Sequence, residues 1–81
     1  MTRREKLVER VMTGDAPVRF ADLVTVAEWH GFVRSRTRGS HVLLVHESTG
    51  ALLTLQADGQ HAKRYQVDQF RKLVRRYNLR G

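Results

Sequence analysis

The chain has 81 residues, no cysteine, and 15 Lys and Arg against 8 Asp and Glu, which gives a net charge of +7. This length predicts one small domain, and the lack of cysteine excludes disulfides, zinc knuckles, iron–sulfur clusters and thiol nucleophiles. With 41% hydrophobic residues and one proline, the chain is expected to fold rather than to be disordered. No apolar run reaches the roughly 20 residues of a membrane span and no apolar signal core follows the basic N-terminus, so we expect a cytoplasmic protein.

The basic charge is concentrated in the later part of the chain. Residues 1–31 carry five basic and five acidic side chains, whereas residues 32–81 carry ten basic and three acidic ones. The later range therefore accounts for the whole net charge. We expect it to form a surface that binds a polyanion, of which nucleic acid is the obvious candidate.

Two helices are predicted in the first thirty residues. Thr2-x-x-Glu5 has the pattern of a capping box, and apolar residues then recur at helical spacing to about Met12. Proline cannot continue a helix, so Gly14–Pro17 ends the first one. A second helix is expected from about Phe20 to His30, with Gly31 as its C-terminal cap.

Three strands are predicted next, because the hydrophobic period changes from helical to two at residue 32. They cover about residues 32–38, 41–46 and 51–56, joined by turn sequences at 39–40 and 47–50. Alternation along the first strand is expected to place Arg34, Arg36 and Arg38 on one face of the sheet.

A last helix is predicted over about residues 66–78, after a polar loop at 58–64. Helical spacing directs Val67, Phe70, Val74 and Tyr77 inward, and directs Arg71, Lys72, Arg75 and Arg76 outward. Asp68 and Lys72 are four residues apart, so an ion pair between them is expected on the outer surface.

These elements predict an α+β fold in the order α-α-β-β-β-α, forming a single domain over residues 1–81. Sequential strands with short turns give a three-stranded antiparallel sheet, and the helices can cover one of its faces. The other face is then left to solvent or to a ligand. This is the architecture of double-stranded-RNA-binding domains, with one helix added at the front.

Among the four histidines, His41 has the surroundings of a reactive group. It directly follows Gly39 and Ser40, at the start of a strand and near three arginines. A neutral imidazole at this place could take a proton from a ribose 2′-hydroxyl while the arginines bind phosphate. The glycine would let an RNA backbone approach closely. The alternative is a polar strand residue with no chemical role.

The other histidines have weaker signals. His46 is five positions from His41 and is expected on the opposite face of the strand, and His30 is interpreted as a polar residue near a helix C-terminus. His61 lies in the polar loop with Lys63 and Arg64, a loop that could bind phosphate or be solvated. No two histidines have helical ligand spacing and the carboxylates are scattered, so neither a metal site nor a cofactor is predicted.

A set of short stretches carries a family resemblance. They are Phe20-Ala21-Asp22-Leu23-Val24, Gly31-Phe32, Arg38-Gly39-Ser40-His41, His46, Leu53-Thr54-Leu55, Lys63 and Leu73-Val74. Together they resemble the HicA toxins, also called YcfA-like proteins, which are small basic mRNA interferases of type II toxin–antitoxin systems. The resemblance covers about residues 19–79, and residues 1–18 are interpreted as an N-terminal helical extension. Many members have a second histidine after the Gly-Ser-His motif, where this chain has Val42.

This resemblance implies a double-stranded-RNA-binding-like fold, metal-independent endoribonuclease activity on mRNA, and a HicB-type antitoxin as protein partner. It also implies one essential histidine, which corresponds to His41. The RNA-binding residues expected with it are Arg34, Arg36, Arg38, Gly39, Ser40, Lys63 and Arg64. The general acid is left open among Lys63, His61, Tyr65 and water. The alternatives are a non-catalytic RNA-binding module, an inactive antitoxin-bound homologue, and a module whose basic face docks on an acidic protein.

Overall fold

Three helices and four strands make up the computed structural model, which describes residues 1–81. In chain order they are α1 (Arg3–Met12), α2 (Phe20–Trp29), β1 (Phe32–Arg38), β2 (His41–His46), β3 (Leu52–Asp58), β4 (His61–Ala62) and α3 (Arg64–Tyr77). The predicted α+β class is confirmed, and all three predicted helices are present. No helix combines the length and the apolar character needed to cross a membrane.

The predicted capping box begins α1. The Thr2 hydroxyl accepts a hydrogen bond from the Glu5 backbone amide, and the Glu5 carboxylate accepts one from the Thr2 amide, both at 3.1 Å. These two bonds satisfy amides that have no partner within the helix. The backbone amide of Thr2, and then its hydroxyl, hold the pKa of Glu5 below its usual range.

The sheet is antiparallel in the order β1-β2-β3-β4, so the prediction of three strands misses one. The additional strand, β4, has two residues: Ala62 pairs with Ala57, and His61 pairs with Asp58. Its other side is held by the segment before α2, since the Ala62 amide donates to the Val18 carbonyl at 2.9 Å. Such a short polar strand has no hydrophobic alternation to reveal it.

A bulge in β1 contradicts the prediction that its three arginines share a face. Arg34 lies opposite the buried Leu44, whereas Arg36 lies opposite Leu43, and Ser35 between them has no partner. The extra residue shifts the alternation by one position. Arg34 is therefore on the helix side of the sheet, away from Arg36 and Arg38.

The hydrophobic core lies between one sheet face and the three helices. Its largest fully buried side chains include Phe32 and Phe70, whose ring centroids are 6.1 Å apart. Val11, from α1, is 0% exposed, and Val18, from the segment after it, is 3% exposed. Residues 1–18 and residues 19–79 therefore contribute to one shared core.

Arg71 is buried, which contradicts its predicted outward position. Its Nε donates to the Val11 carbonyl at 2.7 Å, and its Nη2 donates to the Gly14 carbonyl at 3.2 Å. The guanidinium thus satisfies carbonyl groups at and just beyond the end of α1, which have no partners within the helix. It fastens α3 to α1.

Two other predictions for α3 are wrong. Asp68 pairs with Arg64 at 3.5 Å and with Arg71 at 3.8 Å, rather than with Lys72. Tyr77, which was expected to face inward, is 39% exposed in the last turn of the helix. The inward positions of Val67, Phe70 and Val74 are confirmed.

Candidate functional site on the uncovered face of the sheet

One face of the sheet, here called the open face, carries the alternate residues that point away from the core. Along β2 these are His41, which is exposed, and Leu43 and Val45, which are half-buried. Their neighbours Val42 and Leu44 are buried on the helix side. The helices cover only that side, so the open face is available to a ligand.

His41 lies in the middle of a row of polar residues at one end of the open face. Arg38 of β1 and Gln56 of β3 are its direct partners across the two strands. Arg36 is one step along β1 on the same face, opposite Leu43. The structure thus brings two of the three predicted arginines beside the predicted reactive histidine.

The turn before His41 supplies the remaining residues of the Gly-Ser-His motif. Gly39 has a positive φ of 58°, which a glycine adopts without strain, and no atom lies within 4 Å of where its Cβ would be. Ser40 accepts a hydrogen bond at its Oγ from Gln56 Nε2, at 3.3 Å. The turn therefore presents an open backbone surface and a fixed hydroxyl next to the imidazole.

Gln56 is the site residue that the sequence interpretation misses. Its backbone amide donates to Oε1 of Gln66 at 3.1 Å, and Gln66 is only 2% exposed. Gln66 Nε2 in turn donates to the Tyr65 hydroxyl at 3.5 Å. A chain of hydrogen bonds thus runs from α3 through Gln56 to Ser40, and it joins residues that lie ten and sixteen positions apart in the sequence.

The loop residues that were predicted to bind RNA separate into two groups. Lys63 is the first residue after β4, and extension of the β3–β4 register by one residue puts it level with Gln56, in the row that contains His41. Arg64 instead extends toward the loop after α1, where its Nη2 lies 3.5 Å from Asp15 Oδ1 and 3.3 Å from the Gly14 carbonyl. Arg64 is therefore not brought to His41.

His61 lies on the open face opposite Asp58, two strands away from His41. Strand spacing and residue rise put their Cα atoms about 12 Å apart. His30 and His46 are both buried. A ring nitrogen of His30 is hydrogen-bonded to the Val26 carbonyl, and a ring nitrogen of His46 is hydrogen-bonded to the His30 carbonyl, each at 2.8 Å. The predicted opposite orientation of His46 and His41 is confirmed.

The basic residues Arg36, Arg38 and Lys63 of the open face form no ion pair within the chain. Every ion pair within the chain involves Arg64 or Arg71, so Arg36, Arg38 and Lys63 are unpaired. An unpaired guanidinium presents its full charge and its bidentate donor geometry to an incoming phosphate. The electrostatic character of this face is thus set by the row around His41.

An apolar row crosses the other end of the open face. Val33, Val45 and Leu52 are cross-strand neighbours, and Val33 and Leu52 are 45% and 59% exposed. The surface grooves lie elsewhere: the largest, about 600 Å³, lies at the C-terminal end of the chain, beside His30 and Tyr77. The open face is accordingly a platform rather than a cleft.

Comparison with protein-family models, with curated proteins and with solved structures finds no match to this chain. No three His, Cys, Asp or Glu side chains form a group that could hold a metal ion.

Proposed function

We propose that this chain is a metal-independent endoribonuclease that cleaves mRNA on the open face of its sheet, as the toxin of a toxin–antitoxin system. The observation that carries the proposal is the position of His41. It is exposed, lies between Arg38 and Gln56 in the strand ladder, and follows a glycine-serine turn with free space around it. This row combines a proton acceptor with cations suited to a phosphodiester.

The reaction is an intramolecular transesterification of RNA. A neutral His41 ring nitrogen takes the proton of a ribose 2′-hydroxyl, and the 2′-oxygen attacks the adjacent phosphorus in line. The bond from phosphorus to the 5′-oxygen breaks, and that oxygen receives a proton from a general acid. The products are a 2′,3′-cyclic phosphate and a 5′-hydroxyl. Lys63, His61, Tyr65 and water are the candidates for the acid.

The phosphate is held by cations that flank the imidazole. Arg38 is directly opposite His41, and Arg36 is one step further along the same face. Extension of the β3–β4 register by one residue puts Lys63 at the other end of this row. Negative charge that develops on the phosphoryl oxygens is stabilised by these groups in place of a metal ion. Arg34 and Arg64 lie away from this row and contribute to long-range attraction of RNA.

A likeness of the fold to double-stranded-RNA-binding domains is part of this proposal. A sheet with helices on one face only, and with its helices before and after the strands, resembles a double-stranded-RNA-binding domain to which α1 and the short β4 have been added. In this arrangement the chain is an RNA-binding scaffold that carries one reactive side chain.

An acidic antitoxin of the HicB type is the proposed protein partner. The apolar row of Val33, Val45 and Leu52 next to Arg36 suits a protein with an apolar centre and acidic surroundings. Exposed apolar side chains in a contiguous row are typical of interaction surfaces. A protein bound there would also cover His41, which would prevent RNA cleavage.

The test compares His41→Ala with the wild-type protein on end-labelled RNA. Wild type is expected to generate cyclic-phosphate ends in the presence of EDTA, and the variant is expected to lose at least about a hundredfold in rate, as removal of a general base requires. Glu47→Gln, an exposed change at the other end of β2, is the control. Equal cleavage by wild type and His41→Ala would refute the catalytic assignment.

A non-catalytic RNA-binding module is the second candidate. It is favoured by the separation of His41 from the ionisable acid candidates, none of which is its direct partner in the ladder. In that case RNA binding weakens as a power of salt concentration and no cyclic-phosphate ends appear. The end-group analysis distinguishes the two functions.

A further inference from the structure

Gln56 is one of the two direct strand partners of His41, and it is the uncharged one. The two residues are directly opposite on β2 and β3 and share the open face. Residues paired in this way have Cβ atoms about 4.5–5.5 Å apart, which brings a glutamine amide within reach of an imidazole. No other uncharged amide has this relation to His41.

The surroundings of Gln56 leave one of its groups free. Its backbone amide is bonded to the buried Gln66, and its side-chain nitrogen donates to Ser40. The side-chain oxygen, Oε1, has no hydrogen-bond partner within the chain. An amide oxygen is an acceptor only, so it can receive the single N–H of a neutral imidazole.

We propose that Gln56 is a positioning residue for His41: rotation of the two side chains brings the free Oε1 of Gln56 to the N–H of one ring nitrogen, and this leaves the other nitrogen as the base. The bond selects one tautomer of the ring and limits its rotation, as an orienting partner does for a catalytic histidine. The Ser40 contact occupies the amide nitrogen, so the oxygen is the group of this side chain that is available to the ring. This inference rests on the proposed function only for its catalytic consequence.

The structural part of the proposal is tested by NMR on the imidazole nitrogens of His41. In wild type one neutral tautomer is expected to dominate, and in Gln56→Leu the tautomer ratio is expected to return to that of a free histidine. Gln56→Glu keeps an acceptor at the same position, so the tautomer preference is expected to persist in this variant. Thr54→Leu, one step along β3 on the same face, is the matched control and is expected to keep the wild-type tautomer ratio.

The catalytic part is tested by the kinetics of RNA cleavage. Gln56→Leu is expected to lower kcat by about tenfold to a hundredfold with KM nearly unchanged, because the base is misplaced while phosphate binding remains. Gln56→Glu keeps an acceptor and is expected to retain more activity than Gln56→Leu. A purely structural role for Gln56 would lower the activity of both variants without a change in the His41 tautomer ratio.

The outcomes separate this proposal from the proposed function. An unchanged His41 tautomer ratio in Gln56→Leu overturns the positioning role, even if His41→Ala is inactive. If Gln56→Leu loses the tautomer preference but His41→Ala cleaves RNA at the wild-type rate, the hydrogen bond between Gln56 and His41 is supported and the nuclease mechanism is refuted. Circular dichroism of each variant establishes that the fold is intact.

Discussion

Replacement of Arg71 by methionine is expected to destabilise the fold, although a basic residue on a surface helix usually tolerates such a change. Methionine retains much of the apolar stem of the arginine but removes its donors. The Val11 and Gly14 carbonyls then lose partners at 2.7 and 3.2 Å. Because Val11 is 0% exposed, solvent has little access to replace the lost hydrogen bond.

The magnitude follows mainly from these two contacts, since the ion pair of Arg71 with the half-exposed Asp68 at 3.8 Å contributes little. A hydrogen bond from a charged donor contributes about 1.5–3 kcal/mol net, and a buried acceptor without a partner costs about 1–3 kcal/mol. Gly14 lies in an exposed loop where water can hydrate its carbonyl, so the loss of the hydrogen bond to that carbonyl costs little. Removal of the guanidinium also relieves the cost of its own burial. We therefore expect the free energy of unfolding to fall by about 2–3 kcal/mol, which lowers Tm by roughly 10–20 °C in a domain of this size.

Urea unfolding followed by circular dichroism at the helix band measures this difference. Arg75→Met is the control, since Arg75 is exposed on the same helix and has no ion pair or side-chain hydrogen bond. Its expected effect is within about 0.5 kcal/mol. If Arg71→Met and Arg75→Met unfold at the same urea concentration, the guanidinium of Arg71 does not stabilise the contact between α3 and α1.

Three further predictions concern the packing and capping of the fold. Gly31→Ala is expected to lower the free energy of unfolding by about 3 kcal/mol, because φ is +97° and the new Cβ would lie 2.6 Å from His46 Nε2. Gly50→Ala, with φ of +74° and no atom near the new Cβ, is the control and is expected to lose only the part due to backbone strain. Equal urea midpoints for the two variants would contradict the clash with His46. Gln66→Leu leaves the Gln56 backbone amide in β3 without its acceptor, so hydrogen exchange at that amide is expected to accelerate and the free energy of unfolding to fall by about 1–3 kcal/mol. Unchanged protection of the Gln56 amide would refute the role of Gln66 as its acceptor. The pKa of Glu5 is lowered in the folded state, so its stabilising effect is present above the unfolded-state pKa and disappears as the pH falls through the folded-state pKa. Wild type is therefore expected to lose more stability than Glu5→Gln on acidification. Parallel curves of stability against pH for the two proteins would contradict this role of Glu5.

The helices were predictable because their signals are local. The capping residues of α1 and the buried positions of α3 are set by spacing within a few residues of one another. Arg71 was not predictable in the same way. It is adjacent to the buried Phe70 in sequence, and its burial depends on carbonyl groups about sixty residues earlier in the chain.

The candidate site was predictable only where residue type was sufficient. His41, Arg36 and Arg38 were identified from the basic strand and the Gly-Ser-His motif, and the structure places them on one face. The grouping of Arg34 with them failed because alternation assumes that every residue of a strand is paired, and Ser35 is not. Gln56 was missed because its importance comes from strand register, which a single sequence specifies only indirectly.

The bulge at Ser35 also affects how the chain behaves toward other copies of itself. β1 is an edge strand, and its outer row of amides and carbonyls could otherwise serve as a template for a strand of another molecule. The unpaired residue interrupts the regular spacing of that row, and the arginines on both faces add like-charge repulsion. The same irregularity that divides the arginines between two faces therefore protects a highly basic, one-sided sheet from edge-to-edge aggregation.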